Sequence, residues 1–328
     1  MKTLNRHSEA ATIDRDHASK EAVFQSDRSK SSSGFVWSLL SFIGSQSAGY
    51  FLRKTNRRLI QGFRLLANMR SHLRAVKVFN LPNIKPFVIK NPRIPYKYFT
   101  DYISPCFSLD DRRKILQGHY LYINSFFPQK LLLNIPDSAV VWRNCGPENI
   151  RIDLAIAERY WIEGELELKY HYCDQLVYTM TFTIIQGEII GIADQPYVLL
   201  IGGLQGAPRC ADQIRKAGKL NDIFPSTHLL VVLQAIGQFL GMTTIAGISS
   251  NVQYSGAKKK TPINLSGKYD CFWMEHGGWL HSKRFYCLAT KLRAYAPRGK
   301  NHSSRKKNRL RYKTQLVEDV MATMVSGM

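Results

Sequence analysis

Residues whose types and spacing suit chemistry gather at three places in this sequence. Glu163, Glu165 and Glu167 stand two apart, a spacing that puts side chains on one face of a strand. A carboxylate on such a face serves as a general base once it is partly withdrawn from water. Tyr269, and with it Tyr254, is a phenol suited to return a proton to a leaving thiolate. An apolar run, Tyr197 to Gly203, leads into Leu204-Gln205-Gly206 and then a helix near Arg209. A Gly-rich turn from strand to helix presents backbone N–H groups to a phosphate, so Gly202, Gly203, Gln205 and Gly206 are the candidate cofactor-binding residues. The third place is basic. Arg53, Lys54, Arg57 and Arg58 near one end, and Arg305, Lys306, Lys307, Arg309 and Arg311 near the other, form candidate clamps for anions. Each feature has a plainer alternative: a solvated strand face, a glycine solving a backbone turn, a solvated helix face.

Other reactive types form no recognisable constellation. The six cysteines contain no C-x-x-C pair, so no metal site is expected and reduced thiols are. His119, His171 and His276 fall in no spacing that assembles a nucleophilic triad. Trp273 and Trp279 read as core residues.

The elements that would position these groups follow from periodicity. Arg57 to Phe79 repeats apolar residues at helical spacing among basic ones. Pro82, Pro86, Pro92 and Pro95 then read as a stiff linker and a domain boundary. Asp110 to Phe126 reads as a helix capped by Ser108 or Asp110. Tyr160 to Tyr172 alternates as a half-exposed strand, paired through the Cys173–Gln175 turn with Val177 to Ile185. Tyr197 to Gly203 is a central strand. A helix capped by Ser226 and Gly241 follows, then a strand at Thr243 to Ile248, a short helix at Lys268 to Glu275, a strand at Trp279 to Leu288 and a terminal helix from Arg305 to Met324. This order predicts an α+β fold: a mainly antiparallel central sheet flanked by helices, GNAT-like in sequence of elements, with a basic helical N-terminal region. The domains expected are a mobile polar tail over 1–33, a basic helical region with the Pro-rich linker over 34–97, and the α+β domain with its basic C-terminal helix over 98–328.

Charge is unevenly placed. The chain of 328 residues carries 46 Lys plus Arg against 24 Asp plus Glu, a net +22. Residues 34–97 hold 12 basic side chains and residues 276–313 another 12, with no acidic residue in either stretch. The body between is almost neutral. Such ends attract polyanionic surfaces, including anionic lipid and lipopolysaccharide. Nucleic acid is not expected, because no helix-turn-helix, RRM or zinc signature is present. Residues 34–52 are uncharged and serine-diluted, which suits a helix packed on its own domain or lying in an interface better than a spanning one. Met1 to Ser33 lacks an apolar core of the signal-peptide kind, so a cytoplasmic protein, peripheral on the inner membrane, is expected.

Five blocks together resemble the VirK/YbjX family of enterobacterial proteins: Glu163-Gly164-Glu165-Leu166, Tyr178 to Phe182, Ile201 to Gly206, Tyr269 to Gly278, and Ser304 to Tyr312. The resemblance covers about 95–320. The chain departs from the family pattern at Leu220 to Pro225, and at Gln253-Tyr254, where a histidine is usual. The resemblance implies a virulence-associated or envelope-stress factor, linked to envelope integrity, resistance to cationic antimicrobial peptides, and surface display of a virulence protein. Its partners would be an anionic lipid or lipopolysaccharide surface, or an envelope or virulence protein. The alternative carried by the strand order is a GNAT-like acyl- or aminoacyl-transferase acting on an envelope component, with acyl-CoA as cofactor and Glu163, Glu165 and Tyr269 as its catalytic residues.

Overall fold

Alternating apolar residues in the middle of the chain build one eight-stranded sheet in the order β1-β2-β3-β4-β5-β6-β8-β7. The computed structural model describes residues 66–144, 146, 148–253, 266–282, 284–292 and 304–327. All belong to the unit Ser47–Met328. The polar stretch 1–33, the uncharged stretch 34–52, the basic residues Arg53, Lys54, Arg57 and Arg58, and Tyr254 lie outside the described residues.

The strands are β1 (Ala139–Asn144), β2 (Ile150–Ile156), β3 (Leu166–Tyr172), β4 (Gln175–Gln186), β5 (Tyr197–Gly206), β6 (Thr244–Ile248), β7 (Trp279–Ser282) and β8 (Phe285–Ala289). Every neighbouring pair is antiparallel except β5 and β6, which run parallel. The helices are α1 (Met69–Val76), α2 (Lys85–Lys90), α3 (Leu109–Phe126), α4 (Gln129–Asn134), α5 (Ala211–Lys219), α6 (Pro225–Phe239), α7 (Ser266–Glu275) and α8 (Ser304–Ser326). The fold is α+β with a mainly antiparallel sheet, as the pattern of elements predicts.

Helices cover both faces. Glu165 precedes Leu166, which pairs with Phe182, so Glu165 shares a face with Thr181 and Thr183. Lys97 and Tyr120, from the 3-10 turn Ile94–Phe99 and from α3, reach Glu165 on that face. Tyr170 points the other way, toward His228 of α6, whose imidazole meets Tyr312 of α8.

Several local details differ from the sequence expectation for physical reasons. The proline-rich stretch 81–97 is folded: Pro86 and Pro95 sit in the first turn of short helices, where their missing N–H costs nothing, and Ile84, Phe87 and Ile94 are buried. Ser108 caps α3 in a reciprocal capping box with Asp111. Pro225 opens α6 in place of a Ser226 cap, and Gly241 just past its end takes φ +72. Trp279 to Leu288 is a two-strand hairpin, β7 and β8. Trp273 is fully buried, but Trp279 is half exposed on β7 and is no core residue.

Candidate active site

Glu163, Glu165 and Glu167 do lie to one side of the sheet, but that side is not solvated. Their exposures are 4%, 0% and 2%. The first two also precede the strand proper, which begins at Leu166. Each carboxylate meets a different environment.

Glu165 is part of a closed network. Its Oε1 accepts from Lys97 Nζ at 3.0 Å, and its Oε2 accepts from Tyr120 Oη at 2.6 Å. Lys97, also fully buried, donates a second bond to the Gly164 carbonyl at 3.1 Å. Burial lowers the lysine's pKa, and the Glu165 carboxylate opposes that shift. Nearby, His119 is buried and accepts from the Ile184 amide through Nδ1 at 3.1 Å; desolvation takes its pKa down to about 3.

Glu167 pairs with Lys169 at 3.2 Å. Burial raises its carboxyl, and Lys169 pulls the other way. Both line a cavity of about 380 Å3 with Glu158, Tyr160, Thr179 and Ala207. Across the register, Asp153 lies opposite Lys169 on the same face, held by Arg151 at 3.0 Å and His171 at 3.2 Å.

Among the described residues no cation pairs with Glu163. Its Oε2 accepts from Gln205 Nε2 at 2.9 Å. Burial pushes its carboxyl up to about 7, with the Gln205 hydrogen bond opposing. Such a group exchanges its proton near neutrality.

Gly202 and Gly203 explain how Glu163 gets there. They lie inside β5, not in an open loop, so the expected phosphate turn is not where the pair sits. A Cβ on Gly202 would overlap the Glu163 carbonyl oxygen, and one on Gly203 would overlap its Oε2. The chain before β3 thus crosses directly over two bare backbone positions. The ladder shifts there: Thr181 pairs with Gly203 while Phe182 pairs with Ile201. Gly206 ends the strand, followed by a turn and then α5 at Ala211.

Beyond this bulge β5 and β6 part. They pair only over Leu199–Ile201 and Ile245–Gly247. Tyr269 of α7 fills the gap with its hydroxyl, which donates to Leu204 O at 2.9 Å, accepts from Leu204 N at 2.9 Å, and accepts from Gln253 Nε2 at 3.1 Å. One proton and two lone pairs are thereby used. Tyr269 adjoins the Glu163–Gln205 pair, but its proton is committed to the backbone, so it pins the split strand.

Of the proposed site residues, the fold brings Glu163, Gly202, Gly203, Gln205 and Tyr269 together, and it sends Glu165 into the Lys97 network. Sequence reasoning missed Lys97, Tyr120 and Gln253. A lone lysine in the aromatic run Ile94–Phe99 was the available signal for the first. His276 bonds Thr227 Oγ1 at 3.0 Å, away from this site. Among the described residues no group of three or more His, Cys, Asp or Glu is placed to hold a metal ion. The described cysteines, Cys106, Cys173, Cys210, Cys271 and Cys287, are free thiols.

The basic residues of α8 are elsewhere. Arg305, Lys306, Lys307 and Arg311 are exposed, and Arg309 stands 3.7 Å from Asp222. No helix among the described residues is long and apolar enough to cross a membrane. No curated protein and no solved structure matches the chain. The family described as "Protein of unknown function (DUF535)" matches residues 51–326, and the chain belongs to it.

Proposed function

We propose that this protein is a peripheral factor of the bacterial envelope that works from the cytoplasmic side on an anionic lipid or lipopolysaccharide surface. The observation that carries the reading is the head of α8. Its first turn has no acidic residue, and Arg305, Lys306, Lys307 and Arg311 all reach solvent. Cations at a helix N-terminus face the positive end of the helix dipole, so the helix itself gains nothing from them. A phosphate-bearing surface does gain, by ~1 kcal/mol for each basic residue near it. The resemblance to VirK/YbjX proteins supplies the biological setting: envelope integrity, resistance to cationic peptides, or display of a surface virulence protein. Sedimentation of the full chain with phosphatidylglycerol and with phosphatidylcholine vesicles tests the reading. Binding to the anionic vesicles alone, weakened by salt, is expected. Equal binding to both, or none at low salt, contradicts it.

A second reading, the GNAT-like transferase, is favoured by one specific observation: a carboxyl near pKa 7 beside a split between two parallel strands. In it Glu163 takes the proton of an attacking amine or hydroxyl, and an acyl-CoA phosphate sits near Gly206 at the entry to α5. Calorimetry with acetyl-CoA and palmitoyl-CoA tests it. Heat that disappears with Gly206→Trp supports it; no heat ends it.

A further inference from the structure

A second concave site lies on the far side of the sheet, where α6, the end of α7, β7 and α8 meet. Its volume is about 590 Å3, within the ~300–1,000 Å3 of pockets that hold whole small ligands. One wall is apolar: Ile223, Leu230, Val231, Met274 and Leu310 contribute to it. The other carries Arg309 and Lys313, one helical turn apart on α8.

Two features of this groove are left unexplained by the fold. The first is electrostatic. Two like charges at this spacing repel. Asp222 at 3.7 Å is the acid near Arg309, and the buried Nε of Arg309 makes no hydrogen bond among the described residues. No acid among the described residues lies within ion-pair distance of Lys313, whose pKa is lowered by burial and then by Arg309. Lys291, Glu275 and Asp222 complete the charged lining, so the acids present do not outnumber the cations. The second feature is the rim. Phe224, Met274 and Trp279 are 58%, 55% and 51% exposed, and Leu280 beside Trp279 is equally open. Large apolar side chains crowded in water at the mouth of a cationic groove mark a surface meant to be covered.

We propose that this groove binds a single-chain lipid with an anionic head, the head paired with Arg309 and Lys313 and the acyl chain laid along the apolar wall under Trp279. The inference rests on the membrane-surface reading and deepens it. The exposed cations at the head of α8 hold the protein at the bilayer, and the groove takes one lipid from it. Charge complementarity fixes the head, and burial of the chain at ~25 cal/mol per Å2 supplies most of the affinity.

The test titrates the full chain with palmitate and with 1-palmitoyl-lysophosphatidylglycerol, both below their micelle-forming concentrations, following calorimetry and tryptophan emission. Saturable one-to-one binding with a blue shift is expected, the shift being lost in Trp279→Phe. Arg309→Gln with Lys313→Gln should weaken both ligands at least tenfold, with Lys313→Arg retaining binding. Leu310→Trp, which fills the groove and leaves both cations, should weaken them as much. Unchanged melting curves show which variants remain folded. Arg305→Gln with Lys306→Gln and Lys307→Gln should lower vesicle binding and leave monomeric lipid binding intact, which separates the two readings. Equal affinity for uncharged monopalmitoylglycerol overturns the proposal. So does full competition by inorganic phosphate, non-saturable uptake, or a double variant that binds like the parent.

Discussion

On one face of the sheet, Glu165 is surrounded by Lys97 and Tyr120 and no part of its charge is left over. At the head of α8, Arg305, Lys306, Lys307 and Arg311 face water with no acid to meet them among the described residues. The first region arranges its charges inward and matches them, so its residues are accounted for by the fold. The second leaves cations in water, unpaired among the described residues, with Arg305, Lys306 and Lys307 near the helix N-terminus where the dipole disfavours them, so the reason for them lies outside the fold. Glu163 falls between these extremes. It is as buried as its neighbours, yet it has a neutral amide for a partner, and its proton is correspondingly free to move near neutral pH.

The largest way to strain the buried interior, on both faces of the sheet, is acid. Burial holds His72, His119 and His228 neutral, with pKa values about 4, 3 and 4 against 6.5 when unfolded. The unfolded chain therefore binds more protons below pH 6.5, and stability falls as pH drops through that value toward 4. The raised Glu163 and Glu167 act in the opposite sense, but two carboxyls offset only two of the four lowered imidazoles, His276 included. At pH 4.5 each imidazole costs the folded state up to ~3 kcal/mol. Denaturant melts at pH 7 and pH 4.5 should show a loss of several kcal/mol; an equal midpoint at both values contradicts the inward arrangement.

Next comes the buried pair itself. Lys97→Met or Glu165→Gln alone strands the other partner and should cost about 3–5 kcal/mol. Lys97→Met combined with Glu165→Leu should recover much of that loss. Additive losses in the double variant would show that the two do not act together.

Glu163→Gln should do the reverse. A carboxyl lifted from 4.5 to about 7 costs the folded state up to about 3 kcal/mol once it is ionised. That cost grows as pH rises through 4.5 to 7 and is then constant. The variant should accordingly be more stable than the parent at pH 8 and equal to it at pH 4. A variant less stable at pH 8 would mean that an unseen cation already serves Glu163. Gly202→Ala, which forces the crossing segment off β5, should cost about 1–3 kcal/mol and shift Glu163 from Gln205. A Tm within a degree of the parent's would mean that the crossing yields easily.

Much of this was legible in the sequence, and the limits have physical causes. Period-two alternation located β3, β4 and β5 and put the three glutamates to one side of the sheet. It could not show that this side is covered, because the cover comes from Ile94–Phe99 and α3, far off in the chain. Pro86 and Pro95 hid the first of these, since a proline reads the same whether it breaks a helix or starts one. Between Phe127 and Tyr160, where β1 and β2 lie, no strand is expected from the pattern; β1 is short and its pairing shifts at Val140 and Trp142. The glycine pair looked like a phosphate turn because composition does not distinguish an open loop from a strand crossed by another segment. Tyr269 was picked out as a proton donor, but its three hydrogen-bond partners, which commit that proton, come from 16 and 65 residues away.

The smallest effect on stability separates the two regions most directly. Replacing Arg305, Lys306, Lys307 and Arg311 together by Gln should change the unfolding free energy by no more than ~0.5 kcal/mol, as at surface sites generally. The decisive measurement is the binding of that quadruple variant and the parent to phosphatidylglycerol vesicles across a salt series. A drop in affinity of tenfold or more, with a shallower dependence on salt, is the predicted result. Parent-like binding with the same salt dependence would contradict the claim that the outward cations serve an anionic surface.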